Sequence, residues 1–148
     1  EEFRLAELEL ESDADVSIGD RLVLGAEESP VVRIRDIEYD DLPSGARSEV
    51  EYVVEEIVVS DEERFVDFYN EAQPITLRLH QLNLLPGIGK KLRNGILDER
   101  KRKPFESFEE LSDRVDGFHK PKEVLVDRIL EEIREEDLKY RTFARRED

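Results

Sequence analysis

Two glycines one residue apart, followed at once by two lysines, give the run Leu85-Pro86-Gly87-Ile88-Gly89-Lys90-Lys91 the chemistry of an anion site. Backbone N–H groups at a helix start lack intrahelical partners and carry partial positive charge, so they can hold a phosphate. Glycine serves such a site twice, because it accepts positive φ in a tight turn and lets a sugar-phosphate backbone come close. On this reading Gly87 and Gly89 make the turn, Ile88 anchors it in the core, and the ammonium groups of Lys90 and Lys91 add charge at the same point. Such a site grips phosphate and reads no bases. Glycine-X-glycine also occurs in dinucleotide-binding loops, but those follow a strand and carry a third glycine, whereas position 92 here is Leu. The rival account is a purely structural turn between two helices. Lysines at a helix start are electrostatically unfavourable unless an anion is present, which favours the phosphate site.

The other candidate groups are weaker. Arg93, Arg100, Lys101, Arg102 and Lys103 are auxiliary basic contacts, although a solvated helix end stabilised by its own dipole accounts equally well for residues 100 to 103. A second hairpin, Val115-Asp116-Gly117-Phe118-His119-Lys120-Pro121, has His119 where the first has its second glycine. It reads as a degraded twin, structural before functional, with Gly117, Lys120 and Lys122 as its only phosphate-directed residues. The tail carries Tyr140, Phe143, Arg145 and Arg146, a set that can stack on single-stranded bases but is better read as a packed or frayed terminus. His80 and His119 read as structural. There is no cysteine, so thiolate metal sites are excluded, and two histidines make no zinc cluster. No nucleophile, acid–base pair or nucleotide loop stands out, so the expectation is a non-catalytic protein with no cofactor and no metal.

Charge is the main objection to nucleic-acid binding, because the formal net charge is −16 and non-specific affinity comes from neutralising phosphates. Its distribution weakens the objection. Residues 1–81 hold 23 of the 39 acidic side chains against 7 of the 23 basic ones, whereas residues 82–148 hold 16 of each sign. The field around the hairpin is locally positive, and local charge outweighs the total. No apolar run approaches the roughly 20 residues needed to cross a bilayer, and the first residues have no signal-peptide pattern. With the lack of cysteine, this predicts a cytoplasmic protein with no membrane partner. The absence of methionine, even at position 1, predicts a chain trimmed at its start or one whose spacing closes over omitted residues.

The elements that must position these groups follow from periodicity. Residues 3–10 alternate apolar and polar with a slip at Ala6-Glu7, residues 21–25 follow a turn at Ser17-Ile18-Gly19-Asp20, and residues 31–37 are rich in β-branched side chains. Three short strands predict a small antiparallel barrel or part of one. After Pro43-Ser44-Gly45 the period becomes helical. Ser48 with Glu51, and Ser60 with Glu63, have the form of capping boxes before two helices, the second ending near Asn70. Phe65, Phe68 and Tyr69 read as core joining the two halves. Pro74-Ile75-Thr76 is expected to open a further helix with Ile75, Leu79, Leu82 and Leu85 on one face, stopped by Pro86. Helices are then expected over 90–102, from Ser107 or Phe108 to about Arg114, and from Lys122 to about Glu136 behind Pro121. Gly95 inside the first of these costs about 1 kcal/mol relative to alanine.

The run from Leu85 to Lys91 with Ile96-Leu97 behind it resembles the helix-hairpin-helix motif of DNA repair enzymes, DNA-uptake receptors and some RNA-binding proteins. Residues 77–134 resemble its paired form, with Phe105-Glu106-Ser107-Phe108-Glu109-Glu110-Leu111 as the link. The motif normally has a small residue four places after the second glycine, where this chain has Arg93, so different helix packing or shifted spacing is expected. The chain as a whole is similar to an uncharacterised archaeal family in which an OB-like β-barrel precedes a helix-hairpin-helix region, described as predicted RNA-binding proteins. Arg64-Phe65-Val66, Ile75-Thr76-Leu77-Arg78-Leu79-His80 and Leu84 to Lys91 with Glu99 to Phe105 carry the likeness.

That resemblance implies an α+β protein: a small N-terminal antiparallel OB-like β-barrel domain over 1–43, connecting helices over 44–72, and an all-α paired helix-hairpin-helix domain with a basic aromatic tail over 73–148. The expected function is nucleic-acid binding, RNA more than DNA. The alternative is a protein-interaction adaptor whose acidic first half docks on a basic partner such as a ribosomal protein.

Overall fold

A computed structural model describes residues 2–25 and 27–144. Strands β1 (Ala6–Leu10) and β2 (Val31–Asp36) pair antiparallel, and five helices follow: α1 (Ser44–Ser60), α2 (Glu62–Glu71), α3 (Lys90–Arg102), α4 (Phe108–Arg114) and α5 (Pro121–Arg134). The protein is therefore α+β, but its sheet is a two-stranded ribbon and no barrel closes among the described residues. The expected OB-like barrel is corrected on that ground. Arg21 to Gly25, expected as a strand, runs through the long excursion between β1 and β2, because a strand-forming sequence holds its conformation only beside a ladder partner. The ribbon is amphipathic: Glu7 faces Arg35 and Glu9 faces Arg33, while Leu8 faces Ile34 and Leu10 faces Val31, with an irregularity between Glu9 and Leu10.

The core lies in the helical body. Phe65, Val66 and Tyr69 of α2 and Leu125, Ile129 and Ile133 of α5 are buried with Val54 and Val58 of α1. Tyr69 ties the two halves together as expected, its hydroxyl donating to the Pro121 carbonyl at 2.5 Å. Burial, with the charge of Glu123 adding to it, holds that hydroxyl protonated well above its ordinary range. Asn70 pairs with both backbone groups of Phe105, donating to its carbonyl and accepting from its N–H. The connector before α4 is thereby fixed to α2.

Helices α2 to α5 lie where the apolar spacing places them, but neither expected capping box forms. No proline follows Pro43 before Ser48, so α1 extends back through Gly45 to the proline, and Ser48 instead bonds the Ser44 carbonyl. Ser60 ends α1, donating to Glu56 and Ile57 carbonyls. The tail is packed. Phe143 contacts the rings of Phe65 and Phe68, and the Phe3 amide donates to the Phe143 carbonyl, so both ends of the described chain meet on α2. Arg145 and Arg146 lie outside the described residues.

Candidate functional site

Residues 74–85, expected as one helix, instead form a looped-back turn and a short 3-10 segment. Thr76 Oγ1 accepts from the amides of Arg78 and Leu79, the Leu79 carbonyl accepts from Ile75 and Thr76, and Pro74 bridges His80. A threonine that satisfies backbone donors locally competes with the helix ladder, and here it wins. His80 then caps the 3-10 segment Gln81–Leu84, its Nδ1 accepting from the Leu82 amide. Burial, with Arg100 and Arg93 adding to it, lowers the pKa of His80, so the ring is neutral and fit to accept.

The segment delivers the chain into Leu85-Pro86-Gly87-Ile88. Gly87 has φ of 81° and the Ile88 amide donates to the Leu85 carbonyl, so with Pro86 ahead of it this is a type II turn. Leu85 and Ile88 are buried on the inner side, while Pro86, Gly87, Gly89, Lys90 and Lys91 are exposed. Helix α3 starts at Lys90 with Gly89 as its cap residue, and no side chain caps it. Its first turn holds no acidic residue, in contrast to α2 with Glu62 and Glu63 and α4 with the Ser107 cap, Glu109 and Glu110. Among the described residues neither Lys90 nor Lys91 has an ion-pair or hydrogen-bond partner. Gly89 has φ of −91°, and a side chain there would meet no protein atom within 4 Å. Neither backbone conformation nor packing requires glycine at that position.

The second turn repeats the geometry. Gly117 also has φ of 81°, the Phe118 amide donates to the Val115 carbonyl, and Val115 and Phe118 are buried like Leu85 and Ile88. The two turns lie side by side, with Pro86, Gly87 and Ile88 and, opposite, Gly117, Phe118 and Lys120 lining an open cleft of about 260 Å³. Gly95 accounts for their closeness: a side chain on it would press on Val115 Cγ1 at 3.3 Å. The small residue at the contact is thus Gly95, two places beyond Arg93. The second turn is poorer in free charge. Lys120 is exposed, but Lys122 sits 3.4 Å from Glu55 and 3.8 Å from Glu123.

The auxiliary cations divide. Arg100 turns inward and donates to the Tyr69 and Ala72 carbonyls at the end of α2, a capping role. Arg93 donates to Asn83 Oδ1, which also accepts from the His80 amide, while Asn83 Nδ2 donates to the Ile88 carbonyl. Arg93 and Asn83 together clamp the turn. Arg102 is loosely paired with Glu99 at 3.8 Å, and Lys101 and Lys103 are exposed. Asn83 was not legible as a site residue, because the expected helix gave it no special place.

A family model described as a protein of unknown function, DUF655, matches residues 1–145. The chain belongs to the DUF655 family. The DUF655 chain is 37% identical over 147 residues to the uncharacterised protein MJ0038 of Methanocaldococcus jannaschii, covering 97% of this chain and 67% of that protein. It is also similar to a crystal structure of Af1531 from Archaeoglobus fulgidus, another DUF655 protein, with a TM-score of 0.86, 41% identity, and coverage of 97% of this chain and 81% of that one. No helix among the described residues of the DUF655 chain is long and apolar enough to cross a membrane.

Proposed function

We propose that this DUF655 protein is a non-catalytic nucleic-acid-binding protein that grips the phosphate backbone at the start of α3, its two turns with α3, α4 and α5 acting as a paired helix-hairpin-helix whose first helix is only the short 3-10 segment Gln81–Leu84. One observation carries the reading: Lys90 and Lys91 stand exposed at an uncapped helix start with no anion among the described residues to balance them. The unexplained Gly89 supports it, since glycine at that position leaves the first-turn amides open to a phosphate approaching from solvent. RNA is the expected ligand, following the family resemblance, and the protein recognises backbone before sequence.

Replacing both lysines, K90E with K91E, should abolish RNA binding in low salt with the circular dichroism spectrum intact. Unchanged affinity would remove the assignment. Two to four phosphate contacts predict a slope of about −2 to −4 for the logarithm of affinity against that of salt on duplex, and a little less on single strands.

A further inference from the structure

A second surface, lined mainly by residues of the acidic half, includes no residue of α3. An open apolar groove of about 680 Å³ runs between the N-terminal segment and α1, walled by Phe3, Leu5, Ile18, Val50, Val53 and Ile57. Its α1 wall extends from Gly45 to Ile57, a length of about 18 Å at the helical rise per residue. Val53 is 37% exposed and Ile18 84%, so large apolar side chains at its mouth meet water. A contiguous apolar surface rimmed by charge marks an interaction site.

The charge at the rim decides what fits. Glu49 and Glu56 flank Val53 on α1 at i−4 and i+3, both exposed, and neither has an ion-pair partner among the described residues. Of the two charged side chains that line the groove, Arg4 is paired with Asp36 whereas Glu49 is not paired; among the described residues Arg21 and Arg47, outside the lining, hydrogen-bond only the neutral Ser60 hydroxyl and Asp40 carbonyl and keep their charge. The unpaired charge on the groove lining is therefore negative, in the half of the chain that carries the whole net charge of −16. A second copy would bring two acidic rims together, which like-charge repulsion opposes.

We infer that this groove docks a basic amphipathic helix of a partner protein, its apolar side chains seated between Ile18 and Val53 and its lysines or arginines meeting Glu49 and Glu56. About twelve helical residues span the α1 wall. The site uses no residue of the α3 start, so a single chain can hold nucleic acid and a basic protein at once.

The test uses two fluorescent helical peptides with the same row of leucines, one carrying lysine on its other faces and one glutamate, titrated against the full chain by anisotropy. The lysine peptide should bind at least about ten-fold more tightly. Val53→Asp and Ile18→Asp should each weaken it by about ten-fold or more, although both make the surface more acidic. Tighter or unchanged binding by those variants would mean diffuse charge attraction and overturn the inference, as would equal affinity for the two peptides. Self-association in sedimentation that Val53→Asp abolishes would also overturn it, by naming a second copy as the occupant. The variant with both Lys90 and Lys91 replaced by glutamate should bind the lysine peptide like the parent, which separates this inference from the nucleic-acid reading.

Discussion

Gly89, like Gly45 in α1, is a glycine whose identity the protein's own conformation does not explain. It sits in extended backbone at the cap position of α3 with empty space where a side chain would go. Serine is among the best residues for that position, and glycine trails it by only a few tenths of a kcal/mol. Gly89→Ser should therefore leave the protein as stable or slightly more so in urea, because the hydroxyl can accept from a first-turn amide. The same hydroxyl should weaken RNA binding by occupying the phosphate's place; a variant that gains stability and keeps full affinity would count against the site. His80 gives a pH-dependent prediction. Its folded pKa lies below the unfolded value near 6.5, so at higher pH both states are neutral and stability is complete. As pH falls through the unfolded value the unfolded chain takes up the proton first, and stability is lost. Denaturant midpoints should drop as pH falls below about 6.5, and His80→Asn, which keeps an acceptor for the Leu82 amide, should flatten that drop.

At the scale of elements, the site depends on how the first turn is held. Asn83 joins the 3-10 segment, the turn and α3 through the His80 amide, the Ile88 carbonyl and Arg93. Asn83→Ala leaves the half-buried Ile88 carbonyl and Arg93 without this partner, at a cost of about 1–2 kcal/mol in stability. The lysines remain, so RNA affinity should fall while its salt slope stays the same, as expected for lost preorganisation with an unchanged count of phosphates. A reduced slope would mean instead that Arg93 itself contacts phosphate. The basic run at the end of α3 divides at this scale too, because Arg100 closes α2 while Lys101 and Lys103 point to solvent.

Across the whole molecule, the ends are tied together by a buried carboxylate. Glu132 of α5 is 0% exposed, pairs with Arg128 at 3.0 Å, and accepts from the amides of Thr142, Phe143 and Ala144. Arg128 also donates to the Tyr140 carbonyl, and Arg141 donates to carbonyls at the end of α5. This strap seats Phe143 on α2 and gives Phe3 its backbone partner. Among the described residues, Glu132→Gln keeps an oxygen for the amides but leaves Arg128 with only Glu131, at 3.5 Å, as a counter-charge. Removing one member of a buried pair should cost about 3 kcal/mol and lower Tm by roughly 10 °C in a chain of this size. Loss of the N-terminal contacts should accompany it, read as faster amide exchange at Phe3.

Local pattern alone determined a large part of this protein. The apolar spacing of α2 to α5, the Ser107 cap, Pro121 at a helix start and the turn glycines Gly87 and Gly117 are decided by a few neighbouring residues, so they are legible in the chain. The candidate phosphate site was legible for the same reason, as it occupies consecutive positions 87 to 91. Tertiary structure decided what depends on distant partners. Residues 74–85 have a helical apolar spacing, yet Thr76 and the Pro74–His80 bridge bend them away from a helix. Residues 21–25 have strand propensity and no ladder to join. Gly95 reads as a helix defect until Val115 is packed against it, and Arg100 reads as surface charge until the carbonyls of Tyr69 and Ala72 are brought to it. A backbone hydrogen bond or a side-chain contact across some thirty residues leaves no periodic trace in sequence, so those roles exist only in the folded chain.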